Sequence, residues 1–422
     1  MTPRATQAAQ AAQADKTVRA PLGASYWKLW ASSGLSNLAD GVFKIALPLL
    51  AIELTQSPVL IAGLSVAATL PWLLFALTAG ALADRSDRRR LMVWANLGRA
   101  VLPALLVGAI VLEWGSLWAL YVVALMVGVA ETLYDTSAQS IIPQLVRRDQ
   151  LSRANGRLYG VELVTNQFIG PPLGGLLVAL GVVAAFAMPA ALWLAAAGGL
   201  LLVRGSFRTE REHTTTLRFD IGEGLRFLRG HRILRTLAVM TGVFNFASSA
   251  AFAVLVLFAV GPASPMGLTA TGFGLLLTTS ALGSLVGSFI AERVEARLGR
   301  AASLTLAILG VALTVGAPAL TDNPYVLGPV FFLGGMLVVL WNVITVSLRQ
   351  RITPNRLLGR VNSVYRLLAW GTMPLGAAAG GLLAQGLGLQ PMFAIMGILT
   401  LTLLALMPIL TNKAITAADT QP

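Results

Sequence analysis

Charged side chains interrupt several of the long apolar runs in this sequence. Asp40 and Lys44 lie four residues apart in one run, and Glu131 and Asp135 have the same spacing in another. Glu162 lies in a third run. A charge at the centre of a membrane helix costs roughly 2.5–3.5 kcal/mol on insertion scales, so each of these groups needs a partner or a water-filled cavity. Carboxyl groups held in this way can exchange protons, which is the chemistry that the pattern indicates.

The depth of the carboxyl groups selects two of them. At about 1.5 Å per residue along a helix, Asp40 and Glu131 fall close to the middle of their runs. We predict that both face a central cavity and that one or both exchange a proton there. Lys44 leaves an alternative open, because a tight pair with Asp40 would keep that carboxylate ionised and give it a structural role.

Other polar groups in the apolar runs form two further sets. One set lies nearer the arginine-rich ends of the runs, and we predict either an inner-gate network of salt bridges or substrate contacts for Arg99, Asp135, Glu162 and Arg366. The second set consists of amides that we expect to line the cavity: Asn166, Gln167, Asn245 and Asn342. For Asn245, Asn342 and Arg366, hydrogen bonding between helices is the alternative.

The composition explains why these charges lie in apolar surroundings. Of the 422 residues, 56% are hydrophobic and 12% are charged, which is about half the charged fraction of a soluble domain. Apolar runs long enough to cross a bilayer recur at about 27–53, 59–82, 91–112, 117–141, 157–180, 182–204, 233–259, 268–291, 301–320, 325–348, 359–384 and 390–411. The sequence therefore predicts an all-α integral membrane protein with 12 transmembrane helices. The chain has no cysteine, and we expect neither a metal site nor a cofactor.

Basic residues between the runs mark one side of the membrane. They lie in the first 28 residues, in the junctions at 85–90, 147–157, 204–235, 293–300 and 349–360, and at Lys413. The alternate junctions near 55–58, 113–116, 181, 261–267, 321–324 and 386–390 contain no Lys or Arg. The positive-inside rule then places both termini in the cytoplasm, and we expect a multi-pass protein of a bacterial inner membrane. The net charge of +13 has this topological origin, so we expect no nucleic-acid partner.

The chain divides into two halves that resemble a diverged duplication. Leu151-Ser-Arg-Ala-Asn155 is echoed by Leu358-Gly-Arg-Val-Asn362, and Gly174-Gly-Leu-Leu177 is echoed by Gly380-Gly-Leu-Leu383. We predict two pseudo-symmetric six-helix bundles, which is an architecture of secondary transporters. The predicted units are a disordered cytoplasmic tail (1–24), an N-terminal bundle (25–204), a cytoplasmic linker (205–232), a C-terminal bundle (233–411) and a second cytoplasmic tail (412–422).

The linker contains a short amphipathic pattern. Ile221, Leu225 and Leu228 share one helical face, and Asp220 is placed to cap the start of that helix. We predict an amphipathic helix that lies on the anionic inner leaflet, with a solvated charged linker as the alternative.

The junction after the second run carries a recognisable loop motif. Its residues are Gly80, Asp84, Arg85, Arg88 and Arg89, and they resemble the loop signature between helices 2 and 3 of the major facilitator superfamily. The family usually has Gly where this chain has Asp87. The resemblance implies that Asp84 pairs with an Arg of the loop and lies against a helix N-terminus of the other half, where it holds the outward-open state.

The fifth run carries a second motif. Gly170-Pro171-Pro-Leu-Gly174-Gly175 resembles the core of the antiporter signature found in drug exporters of the superfamily, although Asn166 stands where an upstream glycine is expected. Two further stretches, 39–48 and 139–155, resemble the macrolide-efflux and enterobactin-exporter branch. The resemblance covers about residues 25–410.

This resemblance implies a transporter and not an enzyme. The expected function is export of amphipathic, drug-like small molecules by proton-coupled antiport with alternating access. A siderophore, lysolipid or metabolite exporter of the same fold is the alternative. The expected partners are a small-molecule substrate, protons and the lipid bilayer, and we expect a monomer. An enzyme or sensor is disfavoured because the sequence has no Gly-x-Ser-x-Gly, His-Glu-x-x-His or Walker motif.

Overall fold

The computed structural model describes residues 21–205, 207, 217–261, 264–354 and 357–419. Within these ranges, the side chains at positions 76, 77, 81, 84, 148, 152, 217–221 and 419 lie outside the description. Most of the tail predicted over 1–24 also lies outside it, and the first helix begins at Ala24. In the described part of the chain, 12 helices are long and apolar enough to cross a membrane, as predicted.

The first half supplies six of these helices. They are α1 (Ala24–Leu54), α2 (Pro58–Arg85), α3 (Arg88–Val111), α4 (Leu117–Leu145), α5 and α6 (Val182–Leu201). Helix α5 is composite, with an α-helical start (Leu151–Glu162), a π-helical segment (Leu163–Ile169) and an α-helical end (Gly170–Leu180). The predicted fifth run began at 157, and the helix starts earlier because its first two turns are polar and escape a hydropathy criterion.

The second half repeats this organisation. Its helices are α7 (Arg232–Ala259), α8 (Ala270–Leu298), α9 (Arg300–Gly316), α10 (Pro324–Ile352), α11 (Leu358–Trp370 and Thr372–Leu387) and α12 (Leu389–Leu401). Short 3-10 segments extend α9 over Ala317–Ala319 and α12 over Thr402–Ile409. A linker helix (Leu217–Gly230) joins the halves, and a C-terminal helix (Asn412–Asp419) follows α12.

Side-chain caps begin several of these helices. A polar side chain accepts a hydrogen bond from a backbone N–H of the first turn and so satisfies one of the donors left free there. This arrangement begins α2, α3, α4, α8 and α10, with caps from Ser57, Asp87, Ser116, Thr269 and Asn323.

The two halves pack in the same way. In the first half, α1 packs on α5 and α6, α2 on α4, and α3 on α4 and α6. In the second half, α7 packs on α11 and α12, α8 on α10, and α9 on α10 and α12. Each of these contacts has its counterpart six helices later, so the prediction of two pseudo-symmetric bundles is confirmed.

The halves meet through α2 with α11 and through α5 with α8. We call the arginine-rich end of the bundles the inner end and the opposite end the outer end. Backbones approach closely at the outer end, because a Cβ added to Gly175 would lie 2.3 Å from the Ala270 carbonyl oxygen, and one added to Gly274 would lie 2.3 Å from that of Pro171. The outer ends of the bundles are therefore held together by small residues.

The linker helix differs from its prediction in where it begins. It begins at Leu217, so Asp220 falls within its first turn instead of preceding it, and the Asp220 side chain lies outside the description. Its apolar face also packs on the protein, since Leu228 is buried and a Cβ on Gly224 would lie 2.7 Å from the Arg360 carbonyl oxygen. The starts of α7 and α11 contact this helix, the Ile221 side chain lies outside the description, and the position of the helix on the lipid leaflet stays a prediction.

Candidate functional site

The first ion pair in the membrane-spanning part joins α1 to α4. Lys44 Nζ lies 3.1 Å from Glu131 Oε1, and the Lys44 side chain is 52% exposed whereas that of Glu131 is 17% exposed. The alternative in which Lys44 pairs with Asp40 is not realised. A charge inside a membrane span needs a partner or water beside it, and Lys44 has Glu131 as its partner while half of its side chain stays exposed.

Asp40 has a different environment, although it lies only one turn before Lys44. Its Oδ1 accepts a hydrogen bond from Arg99 Nη1 at 2.8 Å and another from Trp193 Nε1 at 3.1 Å. Asp40 is 4% exposed and Arg99 is fully buried. The prediction that Asp40 faces the cavity is therefore wrong, because α3 and α6 cover that face of α1.

Arg99 also departs from its predicted place in an inner-gate network with Asp135, Glu162 and Arg366. Its Nη2 donates to Ser36 Oγ at 3.0 Å and to Asn96 Oδ1 at 2.6 Å. Its guanidinium carbon lies 4.6 Å from the centroid of the Tyr134 ring and 5.5 Å from that of Trp193. A buried ion pair needs such additional partners to offset desolvation, so these groups form a structural core of the first bundle.

Sequence reasoning missed the members of this core other than Asp40 and Arg99. Ser36 precedes Asp40 by one turn, and Asn96 precedes Arg99 by three residues. Polar residues at these spacings share a helical face with the charge, which is the signal that identifies them. Trp193 and Tyr134 carry no comparable signal, because aromatic residues are common at many positions in membrane helices.

Two further carboxyl groups lie near the Lys44–Glu131 pair. Asp135 is half-buried one turn after Glu131 on α4, and Glu162 is exposed at the end of the first segment of α5. Among the described residues, no cation lies at ion-pair distance from either group. We call Glu131, Asp135 and Glu162 the acid cluster; among the described residues, Glu131 is the member that has an ion-pair partner, Lys44.

The π-helical segment of α5 carries the predicted amides. Asn166 is half-buried and Gln167 is exposed. The segment packs tightly on α1, because a Cβ on Gly41 would lie 2.4 Å from the Asn166 carbonyl oxygen. Gly41 lies between Asp40 and Lys44, so the unusual helical segment lies beside both ion pairs, and π-helical turns occur often at functional sites.

The predicted polar residues of the second half have separate environments. Asn245 donates to the Ala369 carbonyl oxygen at 2.8 Å, so it joins α7 to α11. Asn342 is exposed on α10. Arg366 Nη1 donates to Gln139 Oε1 at 3.2 Å, which connects α11 to α4 across the two halves.

The described residues of the loop motif between α2 and α3 contact the end of the N-terminal bundle and the start of the linker. Asp87, which replaces the usual glycine, caps α3 by accepting from Arg90 N at 3.1 Å, and its φ of −69° needs no glycine. Its other oxygen accepts from Phe207 N at 3.2 Å. Among the other motif residues, Gly80 is half-buried, Arg85 is exposed and Arg88 is buried. Arg89 donates a hydrogen bond to the Val203 carbonyl oxygen. The Asp84 side chain lies outside the described part.

The antiporter-type motif forms contacts on two sides of α5. Gly170 and Gly174 face α1, where Cβ atoms would lie 2.6 Å from Gly41 Cα and 3.0 Å from the Val42 carbonyl oxygen. Gly175 and Pro171 face α8 at the outer contact described above. The motif therefore lets α5 approach both its own bundle and the other half.

Comparison with known proteins agrees with this architecture. Residues 17–422 match the family described as transmembrane secretion effector. The chain is 28% identical over 404 residues to the uncharacterized MFS-type transporter YfiS of Bacillus subtilis, covering 91% of this chain and 92% of that protein. It is also 28% identical to the multidrug efflux pump Tap of Mycolicibacterium fortuitum, with 85% and 88% covered, and to the enterobactin exporter EntS of Escherichia coli, with 84% and 83% covered.

Solved structures show the same fold at low sequence identity. The nucleoside transporter NupG superposes with a TM-score of 0.70 at 12% identity, covering 95% of this chain and 100% of that one. A bacterial homologue of the iron transporter ferroportin gives a TM-score of 0.68 at 19% identity, with 94% and 99% covered. The chain is therefore a membrane transporter and not an enzyme, and it belongs to the transmembrane secretion effector family of the major facilitator superfamily.

Proposed function

We propose that this transporter exports amphipathic small molecules across the bacterial cytoplasmic membrane, with proton entry as the driving force. The observation that carries this proposal is the acid cluster. Glu131 pairs with Lys44, whereas Asp135 and Glu162 have no cation at ion-pair distance among the described residues. Carboxyl groups inside a membrane that lack a cation are suited to take up and release protons.

The proposal moves proton coupling away from Asp40. Asp40 is paired with the Arg99 guanidinium in a buried site that has no direct access to the cavity. Asp135 and Glu162 are more exposed than Asp40, so water and cargo can reach them. In this scheme Lys44 stays with Glu131, and the two remaining carboxyl groups exchange the proton.

The two halves would provide alternating access. The outer ends of α5 and α8 are in close contact, whereas the acid cluster lies on α4 and α5 further from those ends, with Glu162 exposed. Rocking of the N-terminal bundle (25–204) against the C-terminal bundle (233–411) would open the outer contact and close the inner one. The linker over 205–232 would remain cytoplasmic together with both termini, and the chain would work as a monomer.

Transport in proteoliposomes tests this proposal. An imposed pH gradient should accelerate movement of ethidium, a lipophilic dye, by purified protein. Asp135→Asn and Glu162→Gln should abolish the acceleration and leave gradient-free exchange intact, because the cavity keeps its shape. Glu53→Gln is the matched control, since this exposed carboxyl group lies on α1 away from the cluster. Undiminished pH dependence in the doubly substituted protein would refute the coupling assignment.

A siderophore exporter is the second candidate. It is supported by the 28% identity to the enterobactin exporter EntS over 84% of this chain. Deletion of the gene in an iron-limited culture would then lower secretion of the siderophore and leave sensitivity to lipophilic drugs unchanged. The opposite pattern would favour the drug-like cargo.

A further inference from the structure

Arg366 of α11 connects the two halves where their helix backbones lie further apart. Its Nη1 donates to Gln139 Oε1 of α4 at 3.2 Å. The second segment of α11 (Thr372–Leu387) packs extensively on α2, whereas the first segment (Leu358–Trp370), which carries Arg366, makes few contacts with it. Helix α8 likewise packs on the end of α5 (Gly170–Leu180) and little on its start. Both interfaces are therefore close at the outer end and wider at the inner end, where the Arg366 side chain bridges the halves.

A carboxyl group lies on the same face of α4, one turn before Gln139. Asp135 and Gln139 are four residues apart, so they lie about 6 Å apart along the helix axis. Counted from the inner ends of the two helices at about 1.5 Å per residue, Gln139 lies about 9 Å deep, Arg366 about 12 Å and Asp135 about 15 Å. Arg366 is therefore level with the stretch of α4 between its present partner and the carboxyl group.

The charge of Asp135 already acts on Arg366, although the two groups are beyond ion-pair distance. The charged groups that interact with Asp135 come from five helices: Glu131 of α4, Asp40 and Lys44 of α1, Arg99 of α3, Glu162 of α5 and Arg366 of α11. Two of the three cations are paired, Lys44 with Glu131 and Arg99 with Asp40. In the described part of the chain, Arg366 is the cation of this group that has no carboxylate at ion-pair distance.

An aromatic ring connects Arg366 to the interface between the halves. The guanidinium carbon of Arg366 lies 4.4 Å from the centroid of the Trp370 ring. Trp370 packs edge-to-face on Trp72 of α2, with ring centroids 5.0 Å apart. Because α2 and α11 belong to different halves, a change in their packing moves the ring on which the guanidinium rests. Arg366 is thus placed to respond to the relative movement of the halves.

We propose that Arg366 forms an ion pair with Asp135 once Asp135 has released its proton, and that it returns to Gln139 when Asp135 is protonated again. The ion pair draws α11 towards α4 and favours the form that is closed at the inner end. A hydrogen bond between ionised groups is about twice as strong as one between neutral groups, so loss of the Asp135 charge lets the Gln139 amide compete for the guanidinium. The inner ends then separate.

This inference rests on the proposed function and names the partner of Asp135 in proton coupling. A proton that enters from the outer side returns the transporter to the form in which Arg366 contacts Gln139. Release of that proton at the inner side favours closure of the inner ends. The predicted inner-gate network is thereby reduced to one exchange of partners between α4 and α11.

Distances between spin labels test the inference without a gradient or a cargo. The chain has no cysteine, so labels attach only to cysteines introduced at exposed positions, here Gln144→Cys at the inner end of α4 and Gln350→Cys at the inner end of α10. Electron paramagnetic resonance on the labelled full-length protein in nanodiscs measures the distance distribution from acid to alkaline pH. The short distance should become more populated as the pH rises, because Asp135 then ionises and pairs with Arg366.

Substitution of either partner should remove this response. In Arg366→Gln, the ratio of closed to open molecules at alkaline pH should be about tenfold lower, as expected for loss of a hydrogen bond between charged groups. Asp135→Asn should have the same effect, and the double variant should lose little more, because both changes remove one interaction. Arg293→Gln, which removes an exposed charge at the inner end of α8, is the matched control and should respond as the unchanged protein does. An unchanged pH response in Arg366→Gln would overturn the inference.

Two further variants keep the test decisive if Arg366→Gln does not fold. Gln139→Leu removes the competing partner, so the closed form should appear at a lower pH than in the unchanged protein. Arg366→Lys should retain a pH response, since its charge can still pair with the carboxylate. A midpoint that does not move in Gln139→Leu, or a response that is absent in Arg366→Lys, would overturn the inference.

Transport in proteoliposomes separates the inference from the proposed function. A pH response of the inner ends that requires Arg366, without gradient-driven transport of ethidium, would refute antiport and leave the exchange of partners standing. Gradient-driven transport of ethidium, with a pH response that is unchanged in Arg366→Gln, would refute the exchange of partners alone.

Discussion

Two ion pairs lie one helical turn apart on α1 and have opposite surroundings. Asp40–Arg99 is buried among Ser36, Asn96 and two aromatic rings. Lys44–Glu131 has a lysine side chain that is 52% exposed, and Asp135 and Glu162 nearby have no cation at ion-pair distance in the described part of the chain. The first pair is buried and hydrogen-bonded to groups on α1, α3 and α6, whereas the lysine of the second pair is exposed.

This difference shows how one helix separates stability from transport. Residues four apart on a helix differ by about 40° around its axis, which is enough to direct them into different interfaces. Asp40 points towards α3 and α6, and Lys44 points towards α4. A charge inside the membrane is therefore not by itself evidence of proton coupling, because its burial and partners decide its role.

The largest expected effect follows from removing the buried carboxylate. Asp40→Asn leaves the Arg99 charge uncompensated and should destabilise the protein by about 3–5 kcal/mol. Thermal unfolding in detergent, followed by size-exclusion chromatography, measures this change. Arg99→Gln combined with Asp40→Asn should recover part of the loss, because no unpaired charge remains. A melting temperature equal to that of the unchanged protein would contradict the structural role of the pair.

An intermediate effect is expected at the residue between the two pairs. Gly41→Ala places a Cβ 2.4 Å from the Asn166 carbonyl oxygen, so α5 must move away from α1. Overpacking of this kind costs about 1–3 kcal/mol, and the shift of Glu162 should also reduce proton-driven transport. Gly98→Ala is the control, since no atom lies within 4 Å of its added Cβ. Equal stability and equal transport in the two variants would show that the α1–α5 contact neither stabilises the protein nor positions Glu162.

The smallest expected effect on stability is at the exposed pair. Glu131→Gln should change the free energy of unfolding by less than about 1 kcal/mol, because partly exposed ion pairs contribute little. The same variant should alter the pH dependence of transport, because Lys44 then becomes free to pair with Asp135 or Glu162. Denaturation and proteoliposome transport are measured on the same preparation. Destabilisation as large as that of Asp40→Asn would remove the distinction between the two pairs.

A separate pH effect is expected at the start of α7. His231 caps this helix by accepting from Leu234 N at 3.4 Å, and burial lowers the pKa of His231 below its usual 6.5. Its neutral form is therefore favoured by folding, and the cap should be lost as the pH falls from 6.5 through the lowered pKa. His231→Asn, which caps without titrating, should remove this small part of the acid sensitivity of unfolding. Identical acid sensitivity in both proteins would show that the cap does not titrate.

Some features of the site were accessible from the sequence because they depend on neighbours along one helix. The Asp40/Lys44 and Glu131/Asp135 spacings identified the charged faces of α1 and α4. The glycines of the antiporter-type motif indicated a helix that others approach closely. The π-helical segment at Leu163–Ile169 was not predicted, since its residue types are compatible with an ordinary α-helix.

The sequence by itself determined the number of membrane helices, their repetition in two halves and the presence of charges within them, because hydropathy and the spacing of basic residues act locally along the chain. Only the tertiary structure decided which charges pair. Asp40 pairs with Arg99 and accepts a hydrogen bond from Trp193, both on other helices, and Lys44 pairs with Glu131. Arg366 contacts Gln139 and Trp370. The physical reason is that an ion pair depends on distance in space, which the packing of separate helices sets and the order of residues does not.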